Sequence, residues 1–241
     1  MEEKRVSKLE SVLLRIRAIE YLKLLKKKFT YDQLAKALDL SAPVLNRYVK
    51  GHVLPRDDRA LRIIEFAEKH IDLREEVLKR IKFDDDGFFD NTKIIFDITL
   101  LKLIVSKSIN KFIKMRVNKV LTAAADGIPL ATLVASELGT DLVYAKREKE
   151  VGVKIFVEET CILGRSGVTV SLYLPKGAIK PKERVLIVDD IIRTGETQRA
   201  LINLVKKSRA TVAGIFVLIA IGKAWRKMIP ENIPVDVFLE I

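Results

Sequence analysis

Cysteine, histidine, glutamine and tryptophan are nearly missing from these 241 residues: Cys161 and Trp225 are single, and His52, His70, Gln33 and Gln198 are the only members of their kinds. One cysteine excludes an internal disulfide and suggests a reducing compartment. The two histidines are too far apart and too poorly accompanied to suggest a metal site, and Cys161 has no histidine placed by sequence to activate it. The N-terminus lacks an apolar segment of the signal-peptide kind. The longest apolar run, Ile215 to Ile221, is far shorter than the ~20 residues that span a bilayer. A soluble, cytoplasmic protein with no membrane partner is expected. No Gly-Lys-Ser/Thr occurs, which excludes the P-loop form of phosphate binding.

Positive charge, by contrast, is abundant. Forty-four Lys and Arg against 32 Asp and Glu give a net charge of +12 and a pI of about 9.7, a balance that favours polyanionic partners. The surplus is uneven, because residues 1–60 carry 14 Lys and Arg but only 8 Asp and Glu. The length and a hydrophobic content of 49% support one large or two modest cores. Abundant Lys, Arg and Glu beside scarce Gln is a balance met in proteins from hot environments.

Residues 8–25 place Leu9, Val12, Leu13, Ile16, Ile19, Leu22 and Leu25 at three- and four-residue intervals, which predicts an amphipathic helix. Lys26-Lys27-Lys28 closes it favourably against the helix dipole. Thr30 caps a short helix over 31–38, Asp39-Leu40 turns the chain, and Ser41 caps a second helix with Pro43 in its first turn and Gly51 as its stop. Two short helices joined by a tight turn make a helix-turn-helix. On the second helix Val44, Leu45, Tyr48 and Val49 form the inward stripe, while Ala42, Pro43, Asn46, Arg47 and Lys50 lie opposite, with Ser41 at the cap. Such a face suits a major groove, where Asn pairs with adenine and Arg with guanine; the alternative is a helical interaction module whose Arg47 and Lys50 are simply solvated. The stretch from Phe29 to Pro55 resembles the lambda-repressor-like helix-turn-helix family, and the resemblance implies double-stranded DNA as a partner. Helical spacing continues through Leu61, Ile64, Ala67, Ile71, Val77, Leu78 and Ile81 to turn chemistry at Asp84-Asp-Asp-Gly87. The predicted domains are 1–84, helix-turn-helix with a helical connector, and 85–241.

Residues 92–114 read as helical. Strand and helix then alternate: a buried strand over 119–125, a loop Asp126-Gly127-Ile128-Pro129, a helix over 130–138 ended by Gly139, and a strand over 141–145. This order predicts an α/β domain, a mainly parallel sheet flanked by helices. Residues 151–160 and 168–174 read as a hairpin around Gly164-Arg165-Ser166-Gly167. A helix over 198–207, a strand over 211–221, a short helix at Trp225 and a last strand over 235–241 complete the chain.

The most informative stretch is Val185-Leu-Ile-Val-Asp-Asp-Ile-Ile-Arg-Thr-Gly-Glu-Thr197. An apolar strand ends in two acids, and a small, hydroxyl-rich loop feeds a helix N-terminus, where free N–H groups and the helix dipole favour a phosphate. Gly195 admits a close backbone approach, Thr194 and Thr197 add hydroxyl donors, and Asp189 and Asp190 can accept hydrogen bonds from the vicinal hydroxyls of a ribose. The ligand implied is a sugar phosphate; the alternative is a strand that merely ends in two acids before a capped helix.

The stretch resembles the phosphoribosyl pyrophosphate (PRPP) motif of type I phosphoribosyltransferases, with Arg193 as a departure from the usual small residue. The resemblance implies that Asp189, Asp190, Arg193, Thr194, Gly195, Glu196 and Thr197 bind PRPP. It implies that Asp126 and Gly127 form a pyrophosphate loop, with Lys146, Arg147 and Lys149 as its cations, and that Mg2+ enters with PRPP or pyrophosphate rather than on direct protein ligands. It makes the hairpin a flap and leaves only a brief hood for a base. Joined to a helix-turn-helix, the domain is similar in plan to bacterial purine repressors and to archaeal orotate-phosphoribosyltransferase-like regulators. Two functions stay open: a DNA-binding transcriptional regulator, expected to be a homodimer, that senses PRPP or a nucleotide; and an active purine or pyrimidine phosphoribosyltransferase in which Asp189 and Asp190 support catalysis.

Overall fold

Helix ends in the N-terminal part are set by side chains that satisfy exposed N–H groups. The computed structural model describes residues 7–83, 89–163 and 168–241, and the chain divides into two compact units, Met1–Leu103 and Ile104–Ile241. In the first unit α1 (Lys8–Leu25) starts at a reciprocal box: Glu10 N–H donates to Ser7 Oγ at 3.1 Å and Ser7 N–H to Glu10 Oε2 at 2.7 Å. Thr30 and Gln33 repeat this at α2 (Tyr31–Leu38), which ends on Asp39 at φ 53°. Then follow α3 (Ala42–Val49), begun at Ser41 without a side-chain cap bond, α4 (Asp57–His70) and α5 (Leu73–Leu78).

The helical reading of 58–81 is broken where Ile71 turns extended and Asp72 caps α5. The expected stripe on α1 is also only half used. Ile19, Leu22 and Leu25 are buried, whereas Leu9, Val12, Leu13 and Ile16 stay 39–67% exposed. The reason is geometric: α1 lies along α4 through Ser11 and Arg15 on Asp57 and Tyr21 on Glu68, and this seam uses a different face of its first half.

A short antiparallel pair, β1 (Lys82–Phe83) with β2 (Phe89–Asp90), precedes α6 (Thr92–Ile95) and α7 (Ile98–Ser108). The turn expected at 84–87 lies outside the described residues, as does the expected hairpin turn at Gly164, Arg165, Ser166 and Gly167. The compact units meet at Leu103, and the segment after residue 89 stays bonded to the helices before it. Asp97 binds Lys27 at 2.9 Å and Arg80 at 3.2 Å, and Arg80 also binds Glu76 at 2.9 Å. Lys28 completes the network at 2.7 Å from Glu76.

The second unit holds α8 (Asn110–Ile113), β3 (Lys119–Ala123), α9 (Ile128–Leu138), β4 (Asp141–Ala145), β5 (Phe156–Leu163), β6 (Val168–Pro175), β7 (Arg184–Ile192), α10 (Glu196–Lys207), β8 (Thr211–Ala220) and β9 (Val235–Glu240). The expected helix over 92–114 is thus three helices. β5 starts at Phe156 rather than 151, and Val151 is fully exposed. Five parallel strands form the sheet in the order β4-β3-β7-β8-β9, with the antiparallel hairpin β5-β6 apart from it. A central strand in a parallel sheet is covered on both faces, which is why Val185, Leu186, Ile187 and Val188 are all fully buried.

Burial alone would push the Glu76 carboxyl up, but hydrogen bonds and charge from Lys28 and Arg80 outweigh it and hold it at about 2, below the ordinary 4.5. A depressed folded-state value means that the stabilisation is complete above the unfolded pKa and is lost as pH falls through about 2. Glu76→Gln is therefore expected to cost about 2–3 kcal/mol near neutral pH. Urea unfolding of both proteins should show the difference shrinking as pH is lowered from 4.5 toward 2.

Candidate functional site

Strand order dictates where a ligand can sit. From β3 the chain steps outward through α9 to β4, whereas from β7 it steps the other way to β8 and β9. The crevice at the carboxyl ends of β3 and β7 is the topological switch point, the usual ligand position in such sheets. The two sequence motifs fall there: residues 124–127 follow β3, and Arg193, Thr194 and Gly195 follow β7.

Asp189 and Asp190 close the buried part of β7, exposed by 6% and 7%. Asp189 Oδ2 accepts a hydrogen bond from Gln198 Nε2 at 2.5 Å, and its Oδ1 accepts one from the Asp190 N–H at 3.1 Å. Burial and then the charge of Asp190 push Asp189 well above the usual carboxylate range. Asp190 is also raised, first by burial and further by the charge of Asp126. The structure therefore brings Asp126, itself exposed, to the acidic pair. Gly127 ties the two loops more closely still: a Cβ there would meet Thr122 Oγ1 at 2.3 Å and Asp189 Oδ1 at 3.0 Å.

Gly195 is the N-cap of α10 at φ 88°, a left-handed conformation, and a Cβ on it would lie 2.9 Å from Met228 Cβ and 3.0 Å from the Trp225 carbonyl. The short helix expected at Trp225 is a 3-10 turn, Ala224–Lys227, packed against this loop. Its Trp225 is buried and donates from Nε1 to Gly222 O at 3.1 Å. No side chain caps α10, so its first N–H groups face the loop, while Thr194 Oγ1 donates to Glu196 Oε2 and Arg193 is exposed. Thr197 is half-buried in the first turn.

The three expected pyrophosphate cations follow β4. Lys146 Nζ lies 2.9 Å from Glu150 and over the Tyr144 ring, and Lys149 Nζ lies 3.7 Å from Glu158 and over the Tyr173 ring. Arg147 is exposed, and its charge lowers the Cys161 thiol, which burial raises by more. The hairpin is fastened to α10 by Asn203 on Glu159 at 2.8 Å and Lys207 on Glu159 at 2.5 Å. Among the described residues no group of three or more His, Cys, Asp or Glu side chains is arranged to hold a metal. Asp189 has both oxygens engaged as acceptors, by Gln198 and by the Asp190 N–H.

In the first unit Pro43, Asn46, Arg47 and Lys50 are exposed along α3 with Ser41 at its start, Ala42 is half-covered, and Leu45 and Tyr48 are buried. Val44 and Val49 are only half-buried. Arg59 donates to the Tyr48 hydroxyl at 3.2 Å, which secures α3 to α4, and the Tyr31 hydroxyl donates to Asn46 Oδ1 at 3.1 Å.

The sequence gives Gln198, Thr122, Trp225 and Met228 no role in the site. A helical pattern marks Gln198 only as polar, and nothing local marks Thr122, Trp225 and Met228 as touching the loops. Gly127→Ala tests the close approach: φ is −72° there, so the cost is steric and should be about 1–3 kcal/mol. In thermal melts, adding Thr122→Ala, which removes the atom at 2.3 Å, should recover part of the loss.

Comparison with known proteins places these features in context. The phosphoribosyl transferase domain matches residues 91–241, and a helix-turn-helix domain matches residues 19–73. The probable purine biosynthesis transcriptional regulator PurR of Streptococcus pneumoniae is 28% identical over 147 residues, 61% of this chain and 54% of that protein. A xanthine phosphoribosyltransferase of Lachnoclostridium phytofermentans is 34% identical over 127 residues, 52% of this chain and 66% of the enzyme. The adenine phosphoribosyltransferase of Rhodothermus marinus superimposes with a TM-score of 0.63 at 27% identity, covering 70% of this chain and 98% of the enzyme. The chain spans about half the length of the PurR proteins it matches. With its second unit and the preceding segment matched from residue 91 to residue 241, the chain belongs to the phosphoribosyl transferase domain family.

Proposed function

We propose that this protein is a DNA-binding transcriptional regulator whose phosphoribosyltransferase-like domain senses PRPP or a nucleotide. The observation that carries the reading is the combination in one chain of a helix-turn-helix whose α3 exposes Asn46, Arg47 and Lys50, and a glycine-containing loop that opens a helix at a sheet switch point. The likeness to PurR proteins supports it. Ser41, Ala42 and Pro43 bring the start of α3 to the backbone and Asn46, Arg47 and Lys50 meet base edges and phosphates.

Gly195, Thr194 and Thr197 hold the 5'-phosphate, joined by Arg193. Asp190 takes the ribose hydroxyls. Asp126, Gly127, Lys146, Arg147 and Lys149 meet the pyrophosphate, which brings Mg2+ with it. Lys149 is exposed and Lys146 partly so, and both are only surface-paired, so a more highly charged anion can displace Glu150 and Glu158 at small cost. The working form is a homodimer that presents two α3 helices to half-sites related by its two-fold. Residues 1–84, the helix-turn-helix with its helical connector, and residues 85–241 are the functional division.

A second reading, an active phosphoribosyltransferase, is favoured by the 34% identity to the xanthine enzyme. There the same residues would position PRPP, and Asp190 would stabilise positive charge that develops on the sugar as pyrophosphate leaves.

One set of measurements separates the two. Arg47→Ala should weaken binding to a selected duplex by about 1–3 kcal/mol and leave calorimetric PRPP binding unchanged. PRPP should change the affinity of the wild-type protein for DNA by roughly 5- to 150-fold. Pyrophosphate release with PRPP, Mg2+ and each nucleobase should be absent; turnover at enzyme-like rates would establish the second reading instead.

A further inference from the structure

At the end of the sheet away from the crevice, β3, β7 and β8 begin side by side, and their approaches are bonded together. Asn118 N–H donates to the Arg184 carbonyl at 2.8 Å, Lys182 N–H to the Arg209 carbonyl at 2.9 Å, and Arg184 Nε to the Met115 carbonyl at 2.7 Å. Residues 114–119, 180–184 and 206–211 hold nine Lys and Arg and one acid, Glu183. Two of the nine are engaged within the fold: Lys119 is buried against Asp141 at 3.0 Å and Glu183 at 3.8 Å, and Lys207 binds Glu159. The other seven are exposed, and among the described residues none of them forms an ion pair. Asp141 is held below the usual carboxylate range first by Lys119 and then by the charge of Lys180, so it tempers this face without cancelling it.

The backbone at this end is also unusual. Of the four non-glycine residues with positive φ among the described residues, three are Arg116 at 50°, Lys182 at 69° and Arg209 at 58°, each two or three residues ahead of its strand. The left-handed region disfavours any side chain with a Cβ, and glycine is the ordinary occupant of such turns. Asparagine is the next best. All three turns instead carry a long cation, so the backbone preference gives way to positive charge at the same place three times.

We propose that the amino-terminal end of this sheet is a second nucleic-acid surface, which holds the phosphate backbone of a DNA duplex without reading its sequence. Neighbouring strands lie about 4.8 Å apart, so cations entering β3, β7 and β8 form a close row, and a duplex offers about one negative charge per 1.7 Å of its axis. A bilayer surface fits less well, because interfacial sites join cations to exposed apolar side chains. The three segments expose no large apolar side chain, and of the residues that flank them only Ile113 is an exposed apolar one. The proposal goes beyond the reading of α3 as the groove-facing helix and does not need it, since every residue it uses belongs to the second unit.

The test uses the full chain and fluorescence anisotropy with an arbitrary duplex of about 30 base pairs across a salt series. The triple variant Arg116→Gly, Lys182→Gly, Arg209→Gly removes three cations and suits the backbone, so its Tm should equal or exceed that of the wild type. Its plot of log affinity against log salt should be shallower by about 2.7, and at low salt it should bind about tenfold or more weakly. The corresponding triple Asn variant also tolerates these turns and should give the same slope, which separates lost charge from altered backbone. An unchanged slope in both variants would overturn the proposal. So would loss of binding to vesicles of one part phosphatidylserine to three of phosphatidylcholine with duplex binding intact, which would make the partner a membrane. If the two variants lose duplex affinity and Arg47→Ala does not, this surface stands and the reading of α3 fails. The reverse result sinks this surface and leaves α3 in place, and a wild-type protein that binds no duplex defeats both.

Discussion

Everything in the second unit's site depends on Asp189 being held by its neighbour in β7, by the first turn of α10 and by the loop after β3. Gln198 holds one oxygen and the Asp190 N–H the other, and the missing Cβ of Gly127 lets the loop after β3 close onto them. The parallel pairing of β3 with β7 makes this possible, since Leu121 opposite Ile187 brings the two strand ends out together. A buried carboxyl without such partners would cost several kcal/mol. Its satisfaction therefore fixes the spacing of the two loops, and the loop at 193–195 inherits its position from that spacing.

Charge is arranged differently in the two units. Around Glu76 the ion pairs are enclosed: Arg80 and Asp97 are 17% and 15% exposed, and each group has two or more partners. Breaking one leaves a buried charge behind, so this network is a fixed part of the fold. After β4 the pairs are open, with Lys146 and Glu150 at 35% and 51%, and such pairs are worth at most about 1 kcal/mol. The chain as a whole is basic, yet Asp126, Asp189, Asp190 and Glu196 make the crevice locally acidic. An anionic ligand must then rely on backbone N–H groups and loosely paired cations, which makes affinity sensitive to ionic strength.

Much of this was legible in residues alone. The helix-turn-helix was readable because its signals are local: Thr30 and Gln33 form their box within one turn, and Asp39 and Gly51 take the positive φ that ends helices. The β7 motif was readable because a central parallel strand must be apolar throughout, which leaves the two acids conspicuous. What escaped detection depends on partners far away in sequence. The apolar stripe of α1 has the right period along its whole length, and only packing against α4 decides that Leu9 to Ile16 stay outside. The break at Ile71 lies inside an unbroken apolar rhythm, and the apolar 151–155 has β-type composition but no strand to pair with. The ion pairs of Asp97 with Lys27 and Arg80 likewise leave no sign in the sequence.

The two glutamines show why an amide survives in a chain that otherwise prefers charge. At α2, Gln33 Oε1 accepts the Thr30 N–H, a task a carboxylate performs as well and that the helix dipole would favour. Nothing physical in that box demands the amide. At α10 the same helix position relative to the dipole would again welcome a negative charge, but the side chain faces Asp189 at 2.5 Å in a buried site that already contains a second carboxyl. A further carboxylate there would be both desolvated and unpaired, which costs far more than the dipole returns. An apolar side chain would leave Oδ2 without a donor, and a Lys would lose its solvation. Of the uncharged donors long enough to reach from the first turn of α10 to the end of β7, glutamine is the one that also fits the helix, so the constraint on this position comes from the carboxyl pair and not from α10 itself.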